Sequence, residues 1–290
     1  MKLPYWLRPR WSDFGRADTL DRARFAQDMA LPLPDLQYVM FFTPRSGSSW
    51  VADILTRTRR MGRVSECFNP RFMGSMTRSL NATSLGEYCA VLPRRLQTDG
   101  TFGFQITQSQ KRAVFGRDRA FLNRFAGQPW VWLIRSDIVL QAVSLYKMEV
   151  GRMSHAPQMK GRDIKSEERA LPYDAGRIGY WLEHILQMER KTEALIAKAG
   201  ITPLRLNYER NALLKPNHIA NVIGRHIGRP TMRMTPIASP HSKIGTDQNA
   251  AFAERFRDSH RDRMKRIEDE RADMVENSVC YGPKGSFPDA

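Results

Sequence analysis

Two patterns in the sequence predict an α/β fold in which helices flank a central parallel sheet. Four short, nearly continuous apolar runs are typical of strands that are buried on both faces of a parallel sheet, and they lie at residues 37–43, 101–107, 130–135 and 202–206. Helical periodicity separates the runs, most clearly over 174–198, where apolar side chains form one stripe. Strands that alternate with helices favour parallel pairing through right-handed crossovers.

The apolar runs divide the chain into three predicted parts. Residues 1–36 are rich in Arg, Pro and aromatic side chains without a clean period, which predicts an irregular basic N-terminal arm with one short helix at 18–29. Residues 37–275 contain all four predicted strands and form the expected α/β domain. Residues 276–290 combine Gly, Pro and Ser and are expected to form a coil tail.

Two segments of the predicted domain lack strong periodicity. Residues 151–173 are polar, charged and long for a connection in a compact domain, so we expect them to be either functional or disordered. From about residue 248 to 274 the charges are mixed and the apolar stripe is weak, which predicts a helix at the surface.

The charge balance is the unusual feature of the composition. Lys and Arg number 46 against 30 Asp and Glu, which gives a formal net charge of +16. Such an excess attracts anions, so nucleic acid, anionic membranes and phosphate- or sulfate-bearing ligands are all candidate partners. The charge alone does not choose among them.

Cysteine usage and hydropathy indicate the compartment. Cys67, Cys89 and Cys280 have no CxxC spacing, which argues against a disulfide framework and against a cysteine-built zinc site. Pro, Arg and Asp interrupt the N-terminal residues, which therefore carry no signal-peptide pattern, and no stretch approaches the roughly 20 apolar residues that span a bilayer. We expect a soluble, reduced, cytoplasmic protein.

The most informative segment is TPRSGSSW, residues 43–50, which follows the first predicted strand and leads into a helical run. In such a strand–turn–helix unit, backbone N–H groups converge at the helix N-terminus, where the helix dipole favours negative charge. Gly47 lets the backbone turn tightly, and Arg45 adds a permanent cation. Ser48 and Ser49 add hydroxyls in the first helical turn. The segment predicts an oxyanion site.

The sequence of this segment alone leaves two alternatives open. A Ser/Gly helix cap with a surface arginine explains it without any ligand. A nucleoside-triphosphate P-loop fits less well, because GxxxxGK[ST] requires a lysine and a longer loop, and neither is present.

The motif PRSGSSW resembles the 5′-phosphosulfate loop of sulfotransferases. These enzymes use 3′-phosphoadenosine-5′-phosphosulfate (PAPS) as the sulfuryl donor and release 3′,5′-adenosine bisphosphate (PAP). The usual form of the loop is a basic residue, then Ser-Gly-Ser/Thr-Thr, often followed by Trp. The resemblance assigns the donor to Arg45, Ser46, Gly47, Ser48 and Ser49.

A second motif, VWLIRSDIVLQAVSLYKMEV at residues 131–150, resembles the strand and helix of the same family that hold the ribose 3′-phosphate. The matching residues are Arg135 and Ser144. The form R-x-D followed by QAVS is similar to the bacterial group that includes trehalose 2-sulfotransferase. Two motifs in this order are more specific than either alone, and a weak similarity extends over residues 37–258.

The second motif suits a phosphate on physical grounds as well. Arg135 lies at the carboxyl end of a predicted buried strand, where open α/β sheets bind their ligands, and a guanidinium there suits a dianion. Ser136 or Asp137 is expected to cap the following helix. The alternative for Arg135 is a structural salt bridge to Asp137 or Glu149, and the alternative for Ser144 is an ordinary packing role.

Sulfuryl transfer needs in-line positioning, stabilisation of the leaving phosphate oxygen and a proton acceptor for the attacking hydroxyl. Arg45 is expected to stabilise the leaving oxygen.

Glu66, in RVSECFNP, resembles the glutamate of a Glu-Phe-Phe turn in the trehalose group, which implies a general base; the alternative is a surface or capping glutamate. His155 and His241 are rival bases of a residue type that titrates near neutral pH, but no motif places them. No metal is expected, since the histidines are scattered.

Four further features accompany the resemblance. Cys67, beside the candidate base, is expected to be a small buried hydrophobe rather than a nucleophile. Gln105 stands where the trehalose group has a lysine, which puts the role of that lysine in doubt. Lys243 and Gly245 match a basic C-terminal loop near the 3′-phosphate, and residues 207–209 (Asn-Tyr-Glu) match a structural Tyr-Glu pair.

The sequence thus predicts a sulfotransferase domain at residues 37–275 that moves the sulfuryl group of PAPS to a hydroxyl of a sugar or glycolipid. Residues 61–100 and 151–173 are expected to form the acceptor side. We hypothesise that the basic, aromatic N-terminal arm contacts an anionic membrane, and the resemblance implies a homodimer.

Two other function classes compete with this prediction. A P-loop kinase is disfavoured by the missing Lys-Ser/Thr pair and by the lack of an aspartate after an apolar strand that would hold a metal. A nucleic-acid binder is favoured only by the charge, because no RNP, zinc-finger or helix-turn-helix pattern is present.

Overall fold

The computed structural model describes residue 14 and residues 17–150, 171–230, 236–237 and 247–278. In these ranges four parallel strands form one sheet flanked by helices, which confirms the predicted fold class. The strands are β1 (Leu36–Phe42), β2 (Thr101–Ile106), β3 (Trp130–Ile134) and β4 (Leu204–Asn207). The helices are α1 (Arg22–Ala30), α2 (Ser48–Arg57), α3 (Pro70–Ser79), α4 (Leu85–Leu96), α5 (Gln108–Phe115), α6 (Asp118–Phe125), α7 (Ile138–Val150), α8 (Ala175–Ala199), α9 (Tyr208–Asn211), α10 (Pro216–His226), α11 (Asp247–Ser259) and α12 (Arg261–Glu276).

The strand order places one crevice at the carboxyl edge of the sheet. The order is β2-β1-β3-β4, and β1 pairs with β2 on one side and with β3 on the other. The chain leaves β1 towards β2 and leaves β3 towards β4, so the loops after β1 and β3 diverge. Open α/β sheets bind ligands at such a switch point. The loops that follow Phe42 and Ile134 border this crevice.

The strands lie where the apolar runs predict them, to within two residues at each end. The reason is burial on both faces, since every residue of β2 and β3 is buried. On one face, a phenylalanine cluster packs against β1 and β2. Phe68 lies 4.9 Å from Phe104, and Phe104 lies 5.0 Å from Phe125, measured between ring centroids. On the other face, α2 and α10 cover Met40 and Leu133.

The C-terminal helices differ from the prediction of a surface helix over 248–274. Two helices, α11 and α12, occupy this stretch, and each buries an apolar stripe that includes Phe256 and Ile267. Arg271 is also buried, because it pairs with the equally buried Glu189 of α8 at 2.8 Å. The apolar stripe is weak in the sequence because a charged residue occupies one of the buried positions, so the sequence underestimates how much of these helices is buried.

The N-terminal helix begins later than predicted. A 3-10 turn at Ala17–Thr19 comes first, and α1 starts at Arg22, where the Asp21 carboxylate accepts from the N–H of Arg24 at 2.8 Å. Arg22 then forms a two-bond ion pair with Glu87 of α4, at 2.7 and 2.9 Å. None of the helices within the described ranges combines the length and apolar character that crossing a bilayer requires.

The Arg22–Glu87 pair predicts a pH-dependent stability. The hydrogen bond from Arg22 lowers the pKa of Glu87 to about 2, from the ordinary value of 4.5. Because the pKa is lower in the folded state, the pair stabilises the fold above pH 4.5, and this contribution is lost as the pH falls towards 2. Glu87→Gln should lower the melting temperature by a few degrees at pH 7, since the pair is partly exposed, and the difference from the parent should shrink below pH 4.5. The exposed Glu268→Gln variant is the control, and a constant difference at all pH values would contradict the assignment.

Candidate functional site: an anion crevice beside a small cavity

The loop after β1 turns through two left-handed residues. Arg45 has φ +69° and Gly47 has φ +80°, and the N–H of Ser46 donates to the carbonyl of Thr43 at 3.2 Å. Only the glycine adopts this backbone without strain. The loop therefore makes a tight turn directly into α2, with a strained arginine at its centre.

The N-terminus of α2 has no protein cap. Gly47 occupies the N-cap position and offers no side chain, whereas Asn69, Ser84 and Thr107 cap the neighbouring helices α3, α4 and α5. The first backbone bond of α2 runs from Val51 N–H to Gly47 C=O at 3.1 Å. Among the described residues, nothing accepts from the N–H groups at positions 48–50. These donors, at the positive end of the helix dipole, suit an anion.

Gly47 is also required for packing. A Cβ at this position would lie 2.3 Å from Cδ2 of Tyr208, the first residue of α9. The guanidinium of Arg135 lies 4.9 Å from the centre of the same tyrosine ring. The loop after β1, the aromatic ring and the arginine after β3 therefore pack in one stack.

The second motif is held in place by a carboxylate. Arg135 Nε donates to Glu209 Oε1 at 2.8 Å, and the N–H of Ser136 donates to Glu209 Oε2 at 2.9 Å. The expected alternative partners of Arg135 are wrong, because Asp137 pairs with Arg257 and Glu149 pairs with Arg177. The predicted capping by Asp137 is confirmed, since its carboxylate accepts from the N–H of Leu140 at 2.9 Å.

The two motifs form one site. Arg45 Nε donates to Ser144 Oγ at 2.9 Å, and an Nη of Arg135 donates to the carbonyl of Arg45 at 3.3 Å. Gln141, one turn before Ser144, donates to the hydroxyl of Thr43 at 2.7 Å and to the carbonyl of Pro44 at 2.8 Å. Helix α7 therefore fixes both the backbone and the arginine of the loop.

The crevice carries excess positive charge. Burial, and then the nearby Arg135 guanidinium, lower the pKa of Arg45 from its ordinary value. Glu209 compensates Arg135, but within the described ranges Arg45 pairs with no carboxylate. The buried hydroxyl of Ser46 also lacks a hydrogen-bond partner there. An unpaired cation beside open N–H donors fits a bound anion.

A cavity of about 170 Å³ opens beside the crevice. The polar residues of its lining come from the loop, from α2, from the turns after α2 and β2, from α5 and from α8: Arg45, Ser48, Ser49, Glu66, Asn69, Thr107, Ser109, Gln110 and His184. Its apolar lining comprises Phe42, Pro44, Pro70, Ala113, Met148 and Met188. Glu66 Oε2 accepts from Asn69 Nδ2 at 2.7 Å and from Gln110 Nε2 at 2.6 Å. The candidate base therefore lines the same cavity as the loop after β1.

Other predicted residues lie elsewhere. Cys67 is fully buried, as expected, and burial raises the pKa of its thiol. Gln105 is buried, its carbonyl oxygen has no partner among the described residues, and it does not line the cavity. No group of three or more His, Cys, Asp or Glu in the described part of the chain could hold a metal ion. The remaining predicted positions lie outside the described residues: His155, His241, Lys243 and Gly245.

Three side chains at the candidate site have positions that the sequence does not predict. Gln141 lies inside the quoted motif, but its role depends on contacts with a loop about a hundred positions away. Glu209 belongs to the Tyr-Glu pair for which the resemblance implies a structural role, and the structure shows that it orients Arg135. His184 lies in the periodic helix α8, where no sequence signal separates it from other polar residues.

Replacement of Gly47 tests the loop geometry. Gly47→Ala adds the strain of a left-handed alanine, roughly 1–3 kcal/mol, and also forces the Tyr208 ring away from the loop. Gly200→Ala is the matched control, because Gly200 is also left-handed, with φ +65° and ψ +31°, and nothing lies within 4 Å of the added Cβ. Thermal unfolding should show a clearly larger loss of stability for Gly47→Ala. Equal losses would mean that the contact with Tyr208 contributes nothing.

Comparison with known proteins identifies the family of the chain. A family model described as Stf0 sulphotransferase matches residues 90–259, more than half of the chain. The match contains Arg135, Ser144 and His184, whereas the loop around Arg45 precedes it. Among curated proteins, none matches. The family match confirms the resemblance inferred from the two motifs, and the chain therefore belongs to the Stf0 sulphotransferase family.

Proposed function

We propose that this protein transfers the sulfuryl group of PAPS to a hydroxyl of a carbohydrate or glycolipid acceptor. Membership of the family supports sulfuryl transfer. The crevice between β1 and β3 supports the choice of donor. Arg45 has no carboxylate partner among the described residues, and the first N–H groups of α2 have no acceptor there.

The donor has two anionic ends, and the crevice offers two sets of donors. The loop residues Arg45, Gly47, Ser48 and Ser49 suit the 5′-phosphosulfate, because backbone N–H groups and a guanidinium meet at the N-terminus of α2. Ser46 supports this loop from its buried position. Arg135 and Ser144 suit the 3′-phosphate, and Lys243 is proposed to join them.

PAPS supplies an activated sulfuryl group, whose transfer leaves negative charge on the phosphate oxygen of PAP. Arg45 is held by Ser144 and by the left-handed turn, so its guanidinium is oriented before the donor binds. Preoriented donors in a partly buried site stabilise developing charge without reorganisation, and this effect supplies much of the rate enhancement in many enzymes. The protein thus needs no metal for this step in the proposed mechanism.

Glu66 is the proposed general base. Two amide groups, from Asn69 and Gln110, donate to the same carboxylate oxygen and fix the orientation of the side chain. The other oxygen has no partner among the described residues and belongs to a residue that lines the cavity beside Arg45. An acceptor hydroxyl in this cavity can therefore contact a proton acceptor while it faces the loop.

The acceptor class and the cellular setting extend this proposal. The cavity combines polar groups with Met148, Met188 and two prolines, and carbohydrate rings also present hydroxyls together with apolar carbon faces. The membrane contact of the N-terminal arm and the homodimer stay predictions, and residues 1–13 lie outside the described ranges. Among the described residues nothing favours a kinase or a nucleic-acid binder.

Binding of PAP tests the donor site. Arg45→Ala should weaken PAP binding about 10–100-fold, because charge-assisted hydrogen bonds to phosphate are lost. Arg59→Ala is the matched control, since Arg59 lies at the other end of α2, is exposed and also has a left-handed backbone, with φ +56°. Calorimetry should show normal PAP binding by this control and no comparable binding of ATP with Mg²⁺. An unchanged affinity of Arg45→Ala would remove the loop from the donor site.

Replacement of Glu66 tests the base. Glu66→Gln keeps the size of the side chain and should lower kcat for sulfuryl transfer by roughly 10²-fold, the scale of general base catalysis, while PAP affinity is unchanged. The readout is transfer of labelled sulfuryl from PAPS to a panel of soluble sugars and glycolipids. Glu268→Gln is the surface control. Full activity of Glu66→Gln would sink the assignment.

A further inference from the structure

A histidine that neither motif explains lies in the wall of the cavity beside Arg45. His184 lies on α8 and lines the same cavity as Arg45, Ser48 and Glu66. Its ring packs edge-on against Trp181, with 5.5 Å between the ring centroids and 85° between the planes. The side chain is only partly buried, so the ring is held by the helix and yet faces a space that a ligand can fill.

The nitrogens of this ring are not used by the fold. Within the described part of the chain no group forms a hydrogen bond with His184. The structural histidines differ: His226 Nε2 lies 2.9 Å from the carbonyl of Trp130, and His260 Nδ1 lies 3.0 Å from the carbonyl of Phe256. A polar ring that meets no protein partner in a cavity is available to substrate.

The protonation state suits a proton acceptor. Burial, and then the charge of Lys191 on the same helix, lower the pKa of His184 below its ordinary 6.5, so the imidazole is neutral at pH 7. Other charged groups come to this region from the loop, from the turn after α2 and from α7: Arg45, Glu66 and Glu149. Lys147 of α7 instead donates to Asn249 of α11. Glu149 is engaged by Trp181 and Arg177, and Glu66 accepts two amide bonds.

From this placement we propose that His184 is a second proton acceptor of the sulfuryl-transfer centre and shares that role with Glu66; the inference rests on the proposed function. The acceptor oxygen forms its bond to sulfur as its proton passes to the free nitrogen of His184. The bond between sulfur and the bridging phosphate oxygen breaks, and its electron pair stays on PAP. The imidazolium then releases the proton to water.

A set of variants separates the two bases: His184→Gln, Glu66→Gln and the double variant, with His260→Gln as the control. The probe acceptor is glycerol, a polyol small enough for a cavity of about 170 Å³, and the readout is PAP release from PAPS. His184→Gln should lower kcat about tenfold, and the double variant should be at least about tenfold slower than Glu66→Gln alone. A double variant no slower than Glu66→Gln would overturn the proposal.

The pH dependence of kcat distinguishes a proton acceptor at His184 from a merely structural residue. In Glu66→Gln, where His184 is the remaining base, kcat should fall about tenfold per pH unit once the imidazole becomes protonated below pH 6.5, because the protonated ring accepts nothing. In His184→Gln this limb should be absent. A profile of His184→Gln that retains the same limb would overturn the proposal, whatever the loss of rate.

Chemical labelling provides a readout that needs no turnover. Diethyl pyrocarbonate acylates neutral, accessible imidazoles, and mass spectrometry should show that saturating PAPS protects His184 but not His260. Labelling of His184 that is unaffected by PAPS would overturn the proposal. Calorimetry on the same samples distinguishes the two failures, since absence of PAPS and PAP binding would refute the proposed function itself.

Discussion

The ion pair between Arg135 and Glu209 joins the loops that follow three strands at the carboxyl edge of the sheet. Glu209 also accepts from the backbone after β3, and Arg135 also donates to the carbonyl of Arg45 after β1. The crevice between β1 and β3 depends on this pair, because loss of either partner leaves the other as an uncompensated, partly buried charge. Glu209 is thereby engaged by Arg135, and Arg45 has no carboxylate partner among the described residues.

A second ion pair, between α8 and α12, supports the same part of the backbone. Arg271 and Glu189 are both almost fully buried, and burial raises the pKa of Glu189 while the arginine opposes the rise. Arg271 also donates to the carbonyls of Arg135 and Ser136, at 2.5 and 3.0 Å. A buried pair of this kind contributes little net stability but accepts few alternative geometries. It therefore fixes the backbone beneath the proposed phosphate site through α8 and α12.

The sequence predicts those features that depend on local pattern. The apolar runs identify all four strands because both faces of the sheet are buried, and the Gly/Ser turn with its arginine identifies the loop. Pairings between distant residues leave no such pattern. The partner of Arg135 is Glu209 rather than the nearby Asp137 or Glu149. The buried Arg271 lies in a stretch that the sequence predicts as a surface helix. His184 enters the site only because α8 passes the cavity.

The left-handed backbone of Arg45 sets the stability of the fold against the proposed binding function. A non-glycine residue in this conformation carries roughly 1–3 kcal/mol of strain, which glycine would relieve. A laboratory selection for heat resistance alone would therefore favour Arg45→Gly and similar replacements, and it would discard the cation around which the crevice is arranged. Arginine at this position lowers the stability of the turn, and it supplies the cation that the proposed donor site requires.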